Sequence, residues 1–190
     1  MKIRDSGMPD EVTWEHFFDS RQILARLAFT DPDCHVVEFG CGYGTFTVTA
    51  ATLTKGTIYA LDIEPAMLES TAAKAASLGL SNIRTAQRDF VQDGTGLPDG
   101  FVGYAMLFNI LHAEEPLHLL REAHRVLRPG GRVGIIHWNY DAGTPRGPDL
   151  GIRPRPEDCQ AWAQEAGFDL LIPFVSLPPY HYGIVGRRPA

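Results

Sequence analysis

The 190-residue sequence is poor in cysteine, and its three cysteines, Cys34, Cys41 and Cys159, form no CxxC pair. This odd number argues against a disulfide framework and indicates a reducing environment. No run approaches the roughly 18 uninterrupted apolar residues of a membrane span, and the first residues lack the apolar stretch of a signal peptide. We therefore expect a cytoplasmic protein that does not contact a membrane.

A basic run is lacking as well. The formal net charge is -6, and the arginines are spread along the chain, so the sequence shows no footprint for nucleic acid. No HxxxH or HxH spacing indicates a metal site. Repeats and low-complexity segments are absent, and the length fits a single domain over residues 1–190. Nothing in the sequence indicates the oligomeric state.

Strand-like and helix-like runs alternate from residue 35 onward, which favours a mostly parallel sheet covered on both faces. The strand-like runs cover residues 35–39, 56–63, 82–90, 101–111, 131–138, 168–175 and 180–188. The connection between the last two is too short for a crossover helix, so the seventh strand is predicted to be antiparallel. The fold class is therefore α/β, a Rossmann-like doubly wound sheet of about seven strands.

The segment VVEFGCGYGTFT, residues 36–47, joins the first predicted strand to a helix through three glycines. Gly40, Gly42 and Gly44 have the spacing GxGxG, whereas the nicotinamide fingerprint is GxGxxG. Glu38 stands just before them, and an acid there repels a pyrophosphate but tolerates a cation. The pattern therefore departs from that of a NAD(P)-dependent oxidoreductase, which is the chief alternative.

This segment resembles the first motif of class I S-adenosylmethionine-dependent methyltransferases, whose cofactor carries a sulfonium and an ammonium group but no phosphate. Asp62 ends the second strand about 20 residues after the glycines, where an acid can accept hydrogen bonds from ribose hydroxyls. The resemblance continues through Asp89-Phe90 after the third strand and LRPGGR before the fifth, and it covers roughly residues 35 to 138.

The resemblance implies a cofactor site formed by several strand ends. It places Glu38 and the three glycines at the cofactor and Asp62 at the ribose, with Ile63 against the adenine. It also implies that Asp89 and Phe90 meet the adenine, and that Asn109, at the end of the fourth strand, touches the methionine part or the methyl acceptor.

Other polar and aromatic residues lie near the predicted strand ends or in the N-terminal helical segment, residues 1–30, which we expect to close as a lid. The candidates for a general base are His112, His137 and Tyr140, since histidine accepts a proton near neutrality without unusual tuning. The candidates for acceptor contacts are Trp14, Phe17, Trp138, Arg153, Tyr180 and His181. Arg153 lies in a long loop, where it either binds an anionic acceptor or holds the loop together.

The sequence thus predicts a single-domain methyltransferase that uses S-adenosylmethionine, EC 2.1.1.-, and acts on a small molecule. The alternatives are a NAD(P)-dependent oxidoreductase and a protein that keeps the cofactor site without catalysing transfer. The acceptor itself cannot be read from the fold or from the cofactor site.

Overall fold

The computed structural model describes residues 9–190, in which six helices and seven strands follow one another. The helices are α1 (Glu11–Glu15), α2 (Ser20–Arg26), α3 (Thr45–Leu53), α4 (Pro65–Ser77), α5 (Pro116–Val126) and α6 (Pro156–Glu165). The strands are β1 (Val36–Phe39), β2 (Ile58–Asp62), β3 (Ile83–Gln87), β4 (Val102–Phe108), β5 (Leu127–Trp138), β6 (Asp169–Leu177) and β7 (His181–Arg187). None of the described helices is long and apolar enough to cross a membrane.

All seven strands belong to one sheet, in the order β3-β2-β1-β4-β5-β7-β6. The pairs among β1 to β5 are parallel, and β7 is antiparallel to both of its neighbours. The doubly wound sheet and the antiparallel last strand are therefore confirmed. Strand order reverses between β1 and β4, which is where open sheets of this kind bind ligands, at the carboxyl ends of the strands. We call this side of the sheet the carboxyl edge.

The two faces of the sheet are covered by different helices. On one face, α5 and α6 contribute buried apolar side chains such as Leu120 and Ala163 to the larger core cluster. On the other face, α2 and α3 contribute Leu24 and Phe46. Fully burying a leucine or phenylalanine contributes about 1.5–3 kcal/mol. The helices therefore hold the sheet rigidly and leave its carboxyl edge to the loops.

The helical spacing of Leu117, Leu120 and Leu127 predicts a helix over residues 114–128, and the end of α5 differs from this prediction. The structure ends α5 at Val126 and gives Leu127 an extended conformation as the first residue of β5. The reason is long-range pairing with the C-terminal segment, because the N–H of Gly130 donates to the carbonyl of Arg188 and the N–H of Arg188 donates to that of Gly131. These hydrogen bonds favour an extended backbone over a further helical turn.

Candidate functional site

The loop after β1 is shaped by its glycines. Gly40 and Gly44 have φ values of 76° and 77°, the left-handed region that side chains other than glycine rarely adopt. A Cβ on Gly44 would lie 2.8 Å from the hydroxyl oxygen of Thr71 on α4. The N–H groups of Gly40 and Cys41 both donate to the carbonyl of Leu61 at 2.9 Å. The loop is therefore fixed against the end of β2.

Asp62, the last residue of β2, ties two loops together. Its Oδ2 accepts a hydrogen bond from the N–H of Gly42 at 3.0 Å, and its Oδ1 accepts one from the N–H of Glu64 at 3.0 Å. Ile63 follows it and is half-buried. The structure therefore brings the second predicted acid directly to the glycine loop, with an apolar side chain beside it.

Glu38 is a buried carboxyl group in the middle of the sheet, 2% exposed. The hydroxyl of Thr47 on α3 donates to its Oε2. Burial raises the pKa of Glu38 to about 8, and the nearby charge of Asp62 adds to the effect. A cation that reached this position would favour the ionised carboxylate.

Asp89 and Phe90, the pair predicted after the third strand, lie at the same edge of the sheet. Phe90 is buried, and its ring packs edge-on against Phe39 at the end of β1, with 5.4 Å between the centroids. A Cβ on Gly40 would point between Ile110 and Phe90, at 3.4 Å and 3.9 Å. Asp89 is half-buried next to this ring. Apolar walls and an acid therefore lie beside the glycine loop.

Asn109 follows β4 at the carboxyl edge and has an unusual environment. Its φ is 56°, and its N–H donates to the carbonyl of Ile136 on β5 at 2.8 Å. The side chain is 7% exposed, yet neither amide atom has a hydrogen-bond partner among residues 9–190. A buried amide without a partner is rare in folded proteins, so Asn109 stays a candidate for contact with a bound molecule.

The histidine candidates fall on different faces of the sheet. His137 pairs with Tyr182, and Trp138 pairs with His181, so His137 and His181 point in opposite directions. The ring of His112 lies 5.6 Å from that of His137. The structure therefore brings His112 and His137 together and separates both from the face that carries His181.

The expectation that His137 titrates near neutrality is wrong. Its Nδ1 accepts a hydrogen bond from the N–H of Trp138 at 3.0 Å. Burial lowers the pKa of His137 well below its usual range, and the charges of His112, His181 and Arg153 act in the same direction. The ring is therefore neutral and only weakly basic.

Aromatic residues of the N-terminal segment cover the end of β5. The ring of Phe17 lies 5.5 Å from Trp138 and 5.6 Å from Tyr180, and Trp14 lies 6.5 Å from Trp138. Tyr180 is in turn 6.3 Å from Trp138, with nearly parallel planes. The four predicted aromatic contacts therefore form one cluster at the carboxyl edge, which we call the aromatic cluster.

A protein-family model matches the part of the chain that contains the glycine loop and the acids Glu38, Asp62 and Asp89. Residues 36–131 match the model described as a methyltransferase domain. The chain belongs to this methyltransferase family. Its cofactor is S-adenosylmethionine, and the nicotinamide alternative is therefore set aside.

Individual relatives and solved structures resemble this methyltransferase domain to different extents. The nocamycin O-methyltransferase of Saccharothrix syringae is 30% identical over 134 residues, which are 70% of this chain and 48% of that protein. The ribosomal protein L11 methyltransferase of Geobacillus kaustophilus is 30% identical over 117 residues, 60% of this chain and 36% of that protein. The chain thus spans less than half the length of these two relatives. A methyltransferase structure from Aquifex aeolicus has a TM-score of 0.81 at 24% identity, covering 94% of this chain and 93% of that one.

The residues at the edge fit S-adenosylmethionine. The buried carboxyl of Glu38 suits a positively charged ligand, since a cation offsets the cost of ionising it. The glycine loop leaves space that a Cβ on Gly40 would fill, next to the apolar ring of Phe90. Asp62 keeps acceptor capacity for hydroxyl groups, because each carboxylate oxygen can accept more than the one bond from a backbone N–H.

Tyr140 and Arg153 were predicted to act on the acceptor side of this methyltransferase domain, and the positions of both favour other roles. Tyr140 is exposed, and the guanidinium of Arg155 lies 3.9 Å from its ring centroid. It is therefore a surface residue of the loop and does not join the buried group at the strand ends. The prediction that Tyr140 acts as a base finds no support in this placement.

Arg153 is buried inside the loop that follows β5. Its guanidinium donates to the hydroxyl of Thr144 at 2.7 Å and to backbone carbonyls of the same loop, including those of Asn139 at 2.9 Å and Pro148 at 2.7 Å. The interpretation of Arg153 as the residue that holds the loop is favoured over that of an anion-binding residue. Its hydrogen-bond partners are carbonyl oxygens and one hydroxyl group of the same loop.

We expect the Arg153→Lys variant to lower the melting temperature by about 4–8 °C, because lysine keeps the charge but loses the fork of donors, a loss of about 2 kcal/mol. Thermal unfolding checks this. Arg146→Lys, at an exposed position of the same loop, is the matched control and should leave the melting temperature unchanged. An unchanged value for Arg153→Lys would contradict the structural role.

Sequence reasoning missed several residues that complete the site. Thr47 holds the buried acid, and the hydroxyl of Tyr43 donates to the carbonyl of Pro9 at 3.1 Å. Lys74 on α4 forms ion pairs with Glu11 at 2.7 Å and Glu15 at 2.6 Å of α1. Among these residues only Thr47 could have been identified from the sequence, because it lies within the glycine motif. The contacts to α1 depend on the tertiary fold.

Proposed function

We propose that this methyltransferase domain transfers a methyl group from S-adenosylmethionine to a small molecule that binds at the carboxyl edge beneath α1. The observation that carries this proposal is the unpartnered, buried amide of Asn109, at the end of β4. When bound, the cofactor supplies a methyl group on a sulfonium, and the electron pair of the broken bond stays on sulfur. The domain then has to align the acceptor and exclude water.

The segment that covers the edge supports a small acceptor. Helix α1 is held to α4 by the ion pairs of Lys74 with Glu11 and Glu15, and the chain before it is held by Tyr43. A covered edge suits a metabolite better than the surface of a large partner. The net charge of -6 also disfavours nucleic acid.

The relatives differ in what their names say they act on. The nocamycin relative is named as an O-methyltransferase and matches a larger share of this chain than the L11 relative, which supports a small acceptor that is methylated on oxygen. The L11 relative is named for a ribosomal protein, so a ribosomal acceptor is the alternative that an experiment has to address.

A labelling experiment tests the proposal. The domain is incubated with S-adenosylmethionine that carries a radioactive methyl group, together with either a low-molecular-weight cell extract or purified ribosomes. We expect the label to enter compounds that pass a 3 kDa membrane. Label that enters only ribosomal protein or RNA would overturn the small-molecule assignment, and label in neither fraction would favour a protein that binds the cofactor without transferring its methyl group.

A further inference from the structure

His181 lies where the acceptor is proposed to bind. It is the first residue of β7 and pairs with Trp138, the last residue of β5, with 4.2 Å between the ring centroids. Because β7 runs antiparallel to β5, β7 begins at the edge where β5 ends. Asn109 is joined to the same edge through its N–H, which donates to Ile136. His181 therefore lies at the carboxyl edge, as Asn109 does, with β5 between their two strands.

The imidazole of His181 is enclosed but makes no polar contact. The residue is 1% exposed, and neither ring nitrogen has a hydrogen-bond partner among residues 9–190. Phe18 packs against the ring at 4.6 Å, in addition to Trp138. An unpaired buried polar group is unfavourable, because it has lost its hydrogen bonds to water. Two such nitrogens in one side chain are difficult to explain by packing alone, and they favour a ligand as the missing partner.

The charge state of His181 limits what that ligand can be. Burial lowers the pKa of His181 to about 3, and the charge of Arg153 acts in the same direction. The neutral ring offers one N–H donor and one lone pair as acceptor. The neutral ring supplies no counter-charge of its own, and the hydrogens of Arg153 are already donated within its loop, so we infer that the group bound at His181 is uncharged.

The amide of Asn109 extends the same chemistry. It offers two N–H donors and one carbonyl acceptor, and both of its polar atoms are buried without partners among the described residues. A hydroxyl group both donates and accepts a hydrogen bond. It can therefore pair with a donor or with an acceptor of either side chain, whereas a ketone or an ether oxygen only accepts.

The aromatic cluster indicates the body of the ligand. Trp138 contacts His181, and Phe17, Trp14 and Tyr180 surround its indole ring. Such surfaces favour flat rings in stacked or edge-on contact. A flat ring that carries a hydroxyl group matches both the polar and the apolar parts of this edge.

We propose that His181 forms a subsite that binds the hydroxyl group of an uncharged aromatic acceptor, with the ring of the acceptor lying against the aromatic cluster. This inference rests on the proposed function and names the class of acceptor. It assigns to His181 a role in recognition, on the opposite face of the sheet from His137.

Binding of model compounds to the domain loaded with S-adenosylhomocysteine tests this subsite without measuring activity. The compounds are 2-naphthol, its ether 2-methoxynaphthalene, and the anion 2-naphthoate, titrated by calorimetry. The wild-type domain should bind 2-naphthol about five- to tenfold more tightly than the ether, the amount expected for one hydrogen bond. It should bind the anion more weakly than 2-naphthol.

Two variants of His181 separate recognition from folding. In His181→Phe the preference for 2-naphthol over the ether should disappear. The melting temperature should stay the same or rise, because an unpaired buried polar group is replaced by an apolar ring. His181→Gln keeps a donor and an acceptor and should retain part of the preference. His118→Phe, at an exposed histidine of α5, is the matched control and should keep all of it.

The outcomes distinguish this inference from the function on which it rests. Equal affinity of the wild-type domain for 2-naphthol and the ether would overturn the subsite, and so would tighter binding of 2-naphthoate. A preference that survives in His181→Phe, or no measurable binding of 2-naphthol to a domain that binds S-adenosylhomocysteine, would also overturn it. S-adenosylhomocysteine is titrated first, and its failure to bind would instead overturn the cofactor assignment.

Discussion

The Asp62→Ala variant should bind S-adenosylmethionine on the order of a hundredfold more weakly than the wild-type domain, since hydrogen bonds to a charged group contribute about 1.5–3 kcal/mol each. The carboxylate accepts hydrogen bonds from the N–H groups of Gly42 and Glu64, and we propose that its remaining lone pairs accept from the ribose hydroxyls. The substitution therefore removes a ligand contact and also loosens the glycine loop. Isothermal titration calorimetry measures the change.

A matched variant separates the specific effect of Asp62 from the loss of one negative charge. Asp93→Ala removes a carboxylate from an exposed position in the loop after β3, and its affinity should match that of the wild type. Circular dichroism and the melting temperature show whether Asp62→Ala remains folded. A folded Asp62→Ala domain with wild-type affinity would contradict the assignment of this carboxylate to the cofactor.

The cofactor side of the site was predictable from the sequence because it depends on residues at strand ends. In a parallel sheet the ends of successive strands meet at one edge, so Glu38, Asp62 and Asp89 had to lie near one another once the strands were recognised. The glycine loop carried its own signal, since Gly40 and Gly44 need positive φ values. The antiparallel orientation of β7 followed from the short connection before it, whereas the order of the strands came only from the structure.

The acceptor side was less predictable because its residues depend on tertiary contacts. Arg153 was identified from its charge, but its partners are backbone carbonyls of a loop whose path the sequence does not determine. The prediction for His137 assumed an ordinary pKa, which burial changes. A one-residue difference in strand position puts His137 and Trp138 on opposite faces, and only the register with β7 shows which of them faces the aromatic cluster.

The Glu38→Gln variant should weaken cofactor binding above pH 8 and leave it nearly unchanged near pH 6. Burial raises the pKa of Glu38 to about 8 in the free domain, so at pH 6 the carboxyl is protonated and resembles the amide of glutamine. A bound cation lowers this pKa, because an opposite charge favours the carboxylate. The affinity of the wild-type domain should therefore rise with pH, by up to tenfold per pH unit, until it levels off near pH 8.

The same linkage predicts that the wild-type domain releases up to one proton when it binds S-adenosylmethionine near pH 7, and that Glu38→Gln releases less. Calorimetry in phosphate and in Tris, whose ionisation enthalpies differ, measures this number.

Two further groups face Glu38. Asp62 disfavours its ionisation, whereas Cys41 stays protonated over this range, because burial raises the pKa of its thiol. The amino group of the cofactor also titrates near pH 8. It contributes equally to proton release by the wild-type and Glu38→Gln domains, so the difference in proton release between them isolates Glu38. Equal proton release by the two proteins would show that Glu38 does not ionise on binding.

The stability of the free domain should depend on pH in the opposite direction to the affinity for the cofactor. The ordinary pKa of this carboxyl is 4.5, and in the folded domain it is about 8. Between these two values the folded state binds a proton that the unfolded state has lost, so the free energy of unfolding falls as the pH rises. Glu38→Gln removes this cost, and its melting temperature should depend less on pH from 5 to 8. Saturating cofactor should also flatten the wild-type profile, since the bound cation compensates the ionised carboxylate. A buried acid that weakens the free domain but strengthens the complex is expected for a residue that serves ligand binding instead of folding.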